Sequence, residues 1–176
     1  MSGVIGLFVI DPGSHTGLCW GRFWEEGEVS ERIASRQFFD HETVVGENMA
    51  QVRTIWLRWQ MFRSGCVKAG IKHELVIEDF ILTRLKSSDR EGLSPVRIAA
   101  MLHGYRHGLA DGYESAGFGP TSTLAPVYQQ PSAAMTYATN ARLKAWGLLV
   151  LTGDPHQRDA FRHLCLRLSD RARRRG

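Results

Sequence analysis

Hydrophobic residues come in short, dense runs at the start of the chain and then change period. "GVIGLFVID" (3–11) is a continuous apolar run of strand length closed by Asp11. "TGLCWGRFWEEGEVSERIASRQFF" (16–39) continues rich in Trp, Phe, Val and Ile and is broken at Glu26 and Gly27, which predicts two further strands and an opening three-stranded meander. From 43 to 69 the spacing becomes helical, with Val45, Met49, Val52, Ile55, Trp56, Trp59 and Phe62 at steps of three and four, and Gly70 ends the run. "ELVIEDF" is short, apolar and β-branched, a central strand carrying Glu78 at its end. Residues 82–94 are polar and basic and read as an exposed loop. A second helix is expected from Pro95 to about Ala116, capped by Ser94, with Ile98, Met101, Leu102, Tyr105 and Leu109 on its apolar side. "TSTLAPVYQ" predicts one more strand, and "PSAAMTY" and "NARLKAWG" predict short helices. "DPHQRDAFRHLCLRL" predicts a final amphipathic helix with Ala160, Phe161, Leu164 and Leu168 inward. The order βββαβαβ followed by helices is that of an α/β fold with a mixed five-stranded sheet flanked by helices.

Composition narrows this picture without changing it. The 176 residues, 43% hydrophobic, suit one domain over 1–170, with 171–176 as a basic C-terminal tail. No apolar run approaches the roughly 20 residues that span a bilayer, and the N-terminus has no signal-peptide pattern, so no membrane partner and a cytoplasmic location are expected. Cys19, Cys66 and Cys165 have no metal-ligand spacing and read as reduced packing residues. The net charge of +4 is concentrated in a run of arginines from Arg158 to Arg175, a distribution suited to a polyanion.

The informative constellation is acidic. Asp11 and Glu78 close two predicted central strands, and Asp159 lies near the start of the last helix, followed by the small Ala160. If the strands are neighbours and the helix crosses their ends, three carboxylates converge and need a cation. Oxygen ligands of this kind suit Mg²⁺ or Mn²⁺, and two such ions about 4 Å apart would clamp the attacking and leaving oxygens of a phosphodiester. Each residue also has a purely structural role open to it: Asp11 in a turn, Glu78 in an ion pair with Arg84 or Lys86, and Asp159 against the helix macrodipole. "DPGSHTG" is also compatible with the phosphate loop of actin-like ATPases, but those need two such domains around a cleft. His103 and His107 are spaced for zinc on a helix yet lack the glutamate of a zinc protease, so surface or packing roles are expected.

"VIDPGSHTGLCW", "LVIEDF", "SPVRIAAMLHGYRHG", "QQPSAAMTYATNARLKAWG" and "HQRDAFRH" together resemble the successive blocks of the RuvC-like Holliday junction resolvases, particularly the bacteriophage-type branch, within the ribonuclease H-like superfamily. The resemblance implies a homodimeric, Mg²⁺- or Mn²⁺-dependent endonuclease that nicks opposing strands of a four-way DNA junction, working in a bacterial host cytoplasm if phage-encoded. It implies Asp11, Glu78 and Asp159 as catalytic metal ligands, with His156 at the fourth position. His156 stands three residues before Asp159, on the same face of a helix. Asp154 is instead placed as the helix N-cap, with Pro155 first and Gln157 in the capping-box position. Arg84, Lys86, Arg90, Arg97, Lys144, Arg158 and Arg162 are the expected DNA contacts, with Arg106, Asn140 and Arg142 nearby. The family often carries an aromatic wedge three residues beyond the strand glutamate. Here Ile81 holds that place and Phe80 lies one residue earlier, where core packing is the simpler role. The long helix from 43 and the helix from Pro95 are the expected faces of the dimer. Flap or fork cleavage, and junction binding by a decayed site, are the alternatives.

Overall fold

The computed structural model describes residues 3–79, 94–115, 126–151 and 153–173, and for 105–115 the backbone alone. Phe80, Ile81, Arg84, Lys86 and Arg90, the side chain of Arg106, and Arg174 and Arg175 therefore lie outside the described residues. The elements run β1 (Val4–Asp11), β2 (His15–Trp24), α1 (Val29–Ala34), β3 (Phe38–Val45), α2 (Asn48–Lys68), β4 (Lys72–Glu78), α3 (Ser94–Ser115), β5 (Val127–Gln129), α4 (Pro131–Tyr137), α5 (Asn140–Ala145), a 3₁₀ turn (Leu149–Leu151) and α6 (Pro155–Arg173). The five strands form one mixed sheet in the order β3-β2-β1-β4-β5. β1 pairs antiparallel with β2 and parallel with β4, and β4 pairs parallel with β5.

Strand periodicity sorts the core into two layers. Leu7, Val9, Cys19, Phe23 and Val76 face α6 and its buried Phe161, Leu164 and Leu168, while Phe8, Ile10, Leu18, Leu75 and Ile77 face α2 and α3 through Val52, Ile55, Trp59 and Ile98. The three cysteines are free and buried, as expected. Asp11 continues the Val9 side of β1, and Glu78 continues the Val76 side of β4. Both carboxylates therefore project to the face that α6 covers.

Three local expectations change. The first part of the stretch expected to be the third strand, after the turn at Glu26 and Gly27, is instead α1, whose start is fixed by a capping box between Glu28 and Glu31. The long helix begins at Asn48, because residues 43–45 finish β3, paired from Thr43↔Gly17 to Val45↔His15. Val45 and Met49 are accordingly exposed. The last helix continues through Arg173, so Arg171 is no part of a free tail. It pairs with Glu74 and Glu25, while Arg167 Nε donates to Glu74 at 2.7 Å and Arg32 Nη1 donates to the Leu168 carbonyl at 2.8 Å.

The N-terminal end of α6 lies on Gly17, opposite Asp11 in the β1 and β2 ladder. A Cβ at Gly17 would stand 2.0 Å from the His156 carbonyl oxygen. That obstacle is backbone and cannot rotate away, so Gly17→Ala is expected to push α6 off the sheet, at a cost of about 2 kcal/mol or more. Thermal unfolding should show it as a fall in Tm of roughly 5 °C or more.

Candidate active site

Asp11 and Glu78 stand one residue beyond the Ile10↔Ile77 pair of two parallel neighbouring strands. α6 crosses above them, and Asp159 completes a cleft of about 100 Å³ whose lining also includes Arg162, His163, Ala134 and Met135. The structure thus brings together the three carboxylates expected to converge. Arg84 and Lys86, the ion-pair partners open to Glu78 in the sequence, lie outside the described residues. Glu78 is bound by His163, which no motif or spacing in the sequence singles out.

His163 is buried and lies one helical turn beyond Asp159. Its Nε2 is 3.0 Å from Glu78 Oε2 and its Nδ1 is 3.2 Å from Gln129 Oε1. Gln129, at the end of β5, thereby fixes the imidazole, and the imidazole fixes Glu78. Asp79, the next residue of the chain, has a separate structural role, accepting a hydrogen bond from Gln130 at 2.6 Å.

The electrostatics follow from crowding. Burial, the hydrogen bond to Glu78 and the negative charges of Glu78 and Asp159 push the Asp11 carboxyl up to about 10, against the opposing pull of Arg162. Burial also raises Glu78, but hydrogen bonds from His163 and Asp11 outweigh it and hold that carboxyl below its usual range. In the metal-free chain Asp11 therefore keeps a proton and donates it to Glu78. The unfolded chain releases that proton near the ordinary value of 3.8. The folded state then binds more protons over most of the window between the two values, so stability falls as pH rises through it. Glu78 acts in the opposite sense, but its contribution is complete above the ordinary carboxyl range. Melting in EDTA is expected to show a lower Tm at about pH 9 than at about pH 6, with the difference abolished by a saturating divalent ion.

Asp154 caps α6 as expected, accepting from the Gln157 amide at 2.9 Å, and Gln157 Oε1 accepts in return from the Gly153 amide at 2.9 Å. Its second oxygen accepts from the Thr43 hydroxyl. Burial raises this carboxyl, but these bonds and the nearby His156 hold it below its usual range. His156 does not line the cleft. Its ring stacks on that of His15 with centroids 5.3 Å apart and planes 11° from parallel.

Of the expected DNA contacts, Arg97 and Lys144 are exposed, and Arg158 is half-buried with an Nε that has no hydrogen-bond partner among the described residues. Arg162 differs from expectation, because it turns into the cleft, where it pairs with Asp159 and is held by Ala138 and Asn140. With Asp159 drawn to Arg162 and Glu78 to His163, no three His, Cys, Asp or Glu side chains among the described residues form a ready-made metal cage. The donor set nevertheless fits a divalent ion. Three carboxylates share one cleft, and two of them need a proton between them when no cation is bound.

No protein-family model and no curated protein matches the chain. Two solved structures are similar in fold over nearly all of it. T. thermophilus RuvC in complex with a Holliday junction substrate is 14% identical, the match covering 98% of this chain and 96% of that one with a TM-score of 0.55. A second Thermus thermophilus RuvC structure is 16% identical, with 94% and 95% covered and a TM-score of 0.54. The mixed five-stranded sheet and this likeness agree, and the chain has a RuvC-like, ribonuclease H-like fold.

Proposed function

We propose that the chain is a structure-specific DNA endonuclease that resolves four-way junctions by metal-dependent hydrolysis, nicking opposing strands. The observation that supports this most is the meeting of Asp11, Glu78 and Asp159 in one cleft on a RuvC-like fold. Asp11, Glu78 and Asp159 would hold Mg²⁺ or Mn²⁺, with His156 as the fourth member of the site. A divalent ion held there supplies Lewis-acid stabilisation of the charge that builds on the phosphodiester. His163, anchored by Gln129, keeps Glu78 in one orientation, as partners of ligating side chains commonly do. His156 would exchange a proton with the attacking water or the leaving oxygen. Arg97, Lys144 and Arg158, with Arg84, Lys86 and Arg90 of the basic segment, would carry the phosphate backbone past it. Two symmetry-related nicks require two such chains about a two-fold axis. Leu57 and Met61, exposed one turn apart on α2, are apolar surface available to that contact.

The test is incubation with labelled four-way junction, replication fork, flap and linear duplex, with and without Mg²⁺ or Mn²⁺. Paired nicks in the junction that need the ion are the expected result. Faster cutting of forks or flaps would reassign the substrate, and tight junction binding without cleavage would make the chain a binding protein.

A further inference from the structure

Arg162 is an arginine inside an acidic cleft, and it is braced from behind. Its Nε donates to the Ala138 carbonyl at 3.2 Å and its Nη2 to Asn140 Oδ1 at 2.6 Å, leaving Nη1 for Asp159. Ala138 follows α4 and Asn140 opens α5, so the junction of two short helices holds the guanidinium against the carboxylate. An arginine keeps its charge at any working pH, and its rigid fork loses little freedom when it is held on three acceptors. The sequence alone had given this residue to the DNA backbone.

We infer that Arg162 is a built-in counter-cation that limits the carboxylate cluster to one divalent ion until DNA is bound. This rests on the metal-dependent reading above. Arg162 is paired with Asp159, so the two carboxylates it leaves, Asp11 and Glu78, carry two negative charges once a cation has displaced the proton between them, the charge of a single divalent ion. A second ion on the Asp159 side would have to enter beside a fixed positive charge. The phosphate of a bound substrate brings the further negative charge that makes room for it. Arg162 acts through Asp159 and is a positioning residue.

The experiment is calorimetric titration of the DNA-free full chain with Mn²⁺, for the wild type, Arg162→Met and Arg162→Lys, with the fold of each checked by thermal melting. One ion per chain is expected for the wild type, two for Arg162→Met and one for Arg162→Lys, which restores the charge. The second ion should bind Arg162→Met at least about tenfold more tightly than the wild type, since a unit charge a few ångströms away carries that much in an equilibrium constant. Damage to the fold does not produce a gain in bound metal. Asn140→Ala, which loosens the brace and keeps the arginine, is expected to show a second, weaker binding event absent from the wild type, and serves should Arg162→Met not fold. Two ions on the wild type, or one on Arg162→Met, would overturn the inference while leaving the nuclease reading intact. Weakened junction binding by Arg162→Met with an unchanged metal count would overturn it too and return the residue to the DNA contacts. No Mn²⁺ on any of these proteins would sink the metal-dependent reading and this inference with it.

Discussion

Asp11→Asn, Glu78→Gln and Asp159→Asn are each expected to abolish junction cleavage and to leave junction binding intact. All three carboxylates share one cleft of about 100 Å³, so none can be replaced by a neighbour. An amide keeps the shape of the side chain but is a far poorer partner for a divalent ion. The resulting loss of charge stabilisation and of alignment is worth about 4 kcal/mol or more, at least roughly a thousandfold in rate. Binding persists because phosphate contacts come from surface cations, and a lost carboxylate removes repulsion toward DNA. Single-turnover cleavage and a gel shift on the same junction separate the two effects. Asp11→Asn carries a further signature. It removes the crowded carboxyl that burial and Glu78 force to keep a proton, so the metal-free variant should lose most of the decline in Tm at high pH. Full activity of any of the three variants, or of the wild type in EDTA, would reject the mechanism.

The second large effect is expected three residues before Asp159. His156→Ala should cut roughly a hundredfold more slowly, a usual contribution for a general acid or base, while Asp154→Asn should cut at nearly the wild-type rate. The geometry separates the two residues. Both Asp154 oxygens are occupied, one by the Gln157 amide and the other by the Thr43 hydroxyl, and an asparagine can still cap. The His156 ring, by contrast, stacks on that of His15 and takes no part in capping the helix. An imidazole can exchange a proton near neutral pH. Cleavage rates of the two variants under single-turnover conditions decide the assignment. A dead Asp154→Asn beside a normal His156→Ala would reverse it.

The elements that carry the site were legible for a simple reason. β1 and β4 are dense apolar runs that end in a carboxylate, and α6 has an apolar stripe with a cap before it, so strand ends and a helix start could be named without knowing how they pack. Their convergence needed one further condition, that β1 and β4 be neighbours, and the sheet order meets it. What sequence could not show was direction. His163 lies between Arg162 and Leu164 on a helix with an apolar stripe, and only the position of Glu78 makes it a partner. Arg162 looks like any arginine of a basic helix until Ala138 and Asn140 are folded against it. The misplaced start of α2 has a different origin. Val45, Met49 and Val52 fall by chance at helical steps, so the end of a β-branched strand was absorbed into the helix pattern. α1 was missed because six residues carrying Val29 and Ile33 are too short for period to distinguish helix from strand.

α6 is supported like a beam, with one end resting on Gly17 and tied to Thr43 through Asp154, and the other clamped by Arg167 and Arg171 on Glu74 and Glu25. Asp159 and His163 lie on the span between these supports, and at 1.5 Å per residue the clamp at Arg171 is about 18 Å from Asp159. A stiff rod fixed at two points leaves no slack along its length. Loss of charge at Glu74, which touches nothing in the cleft, would therefore reach the carboxylates as a tilt of the whole helix, and the angle at which α6 meets the sheet is set as much by its far end as by the residues that do the chemistry.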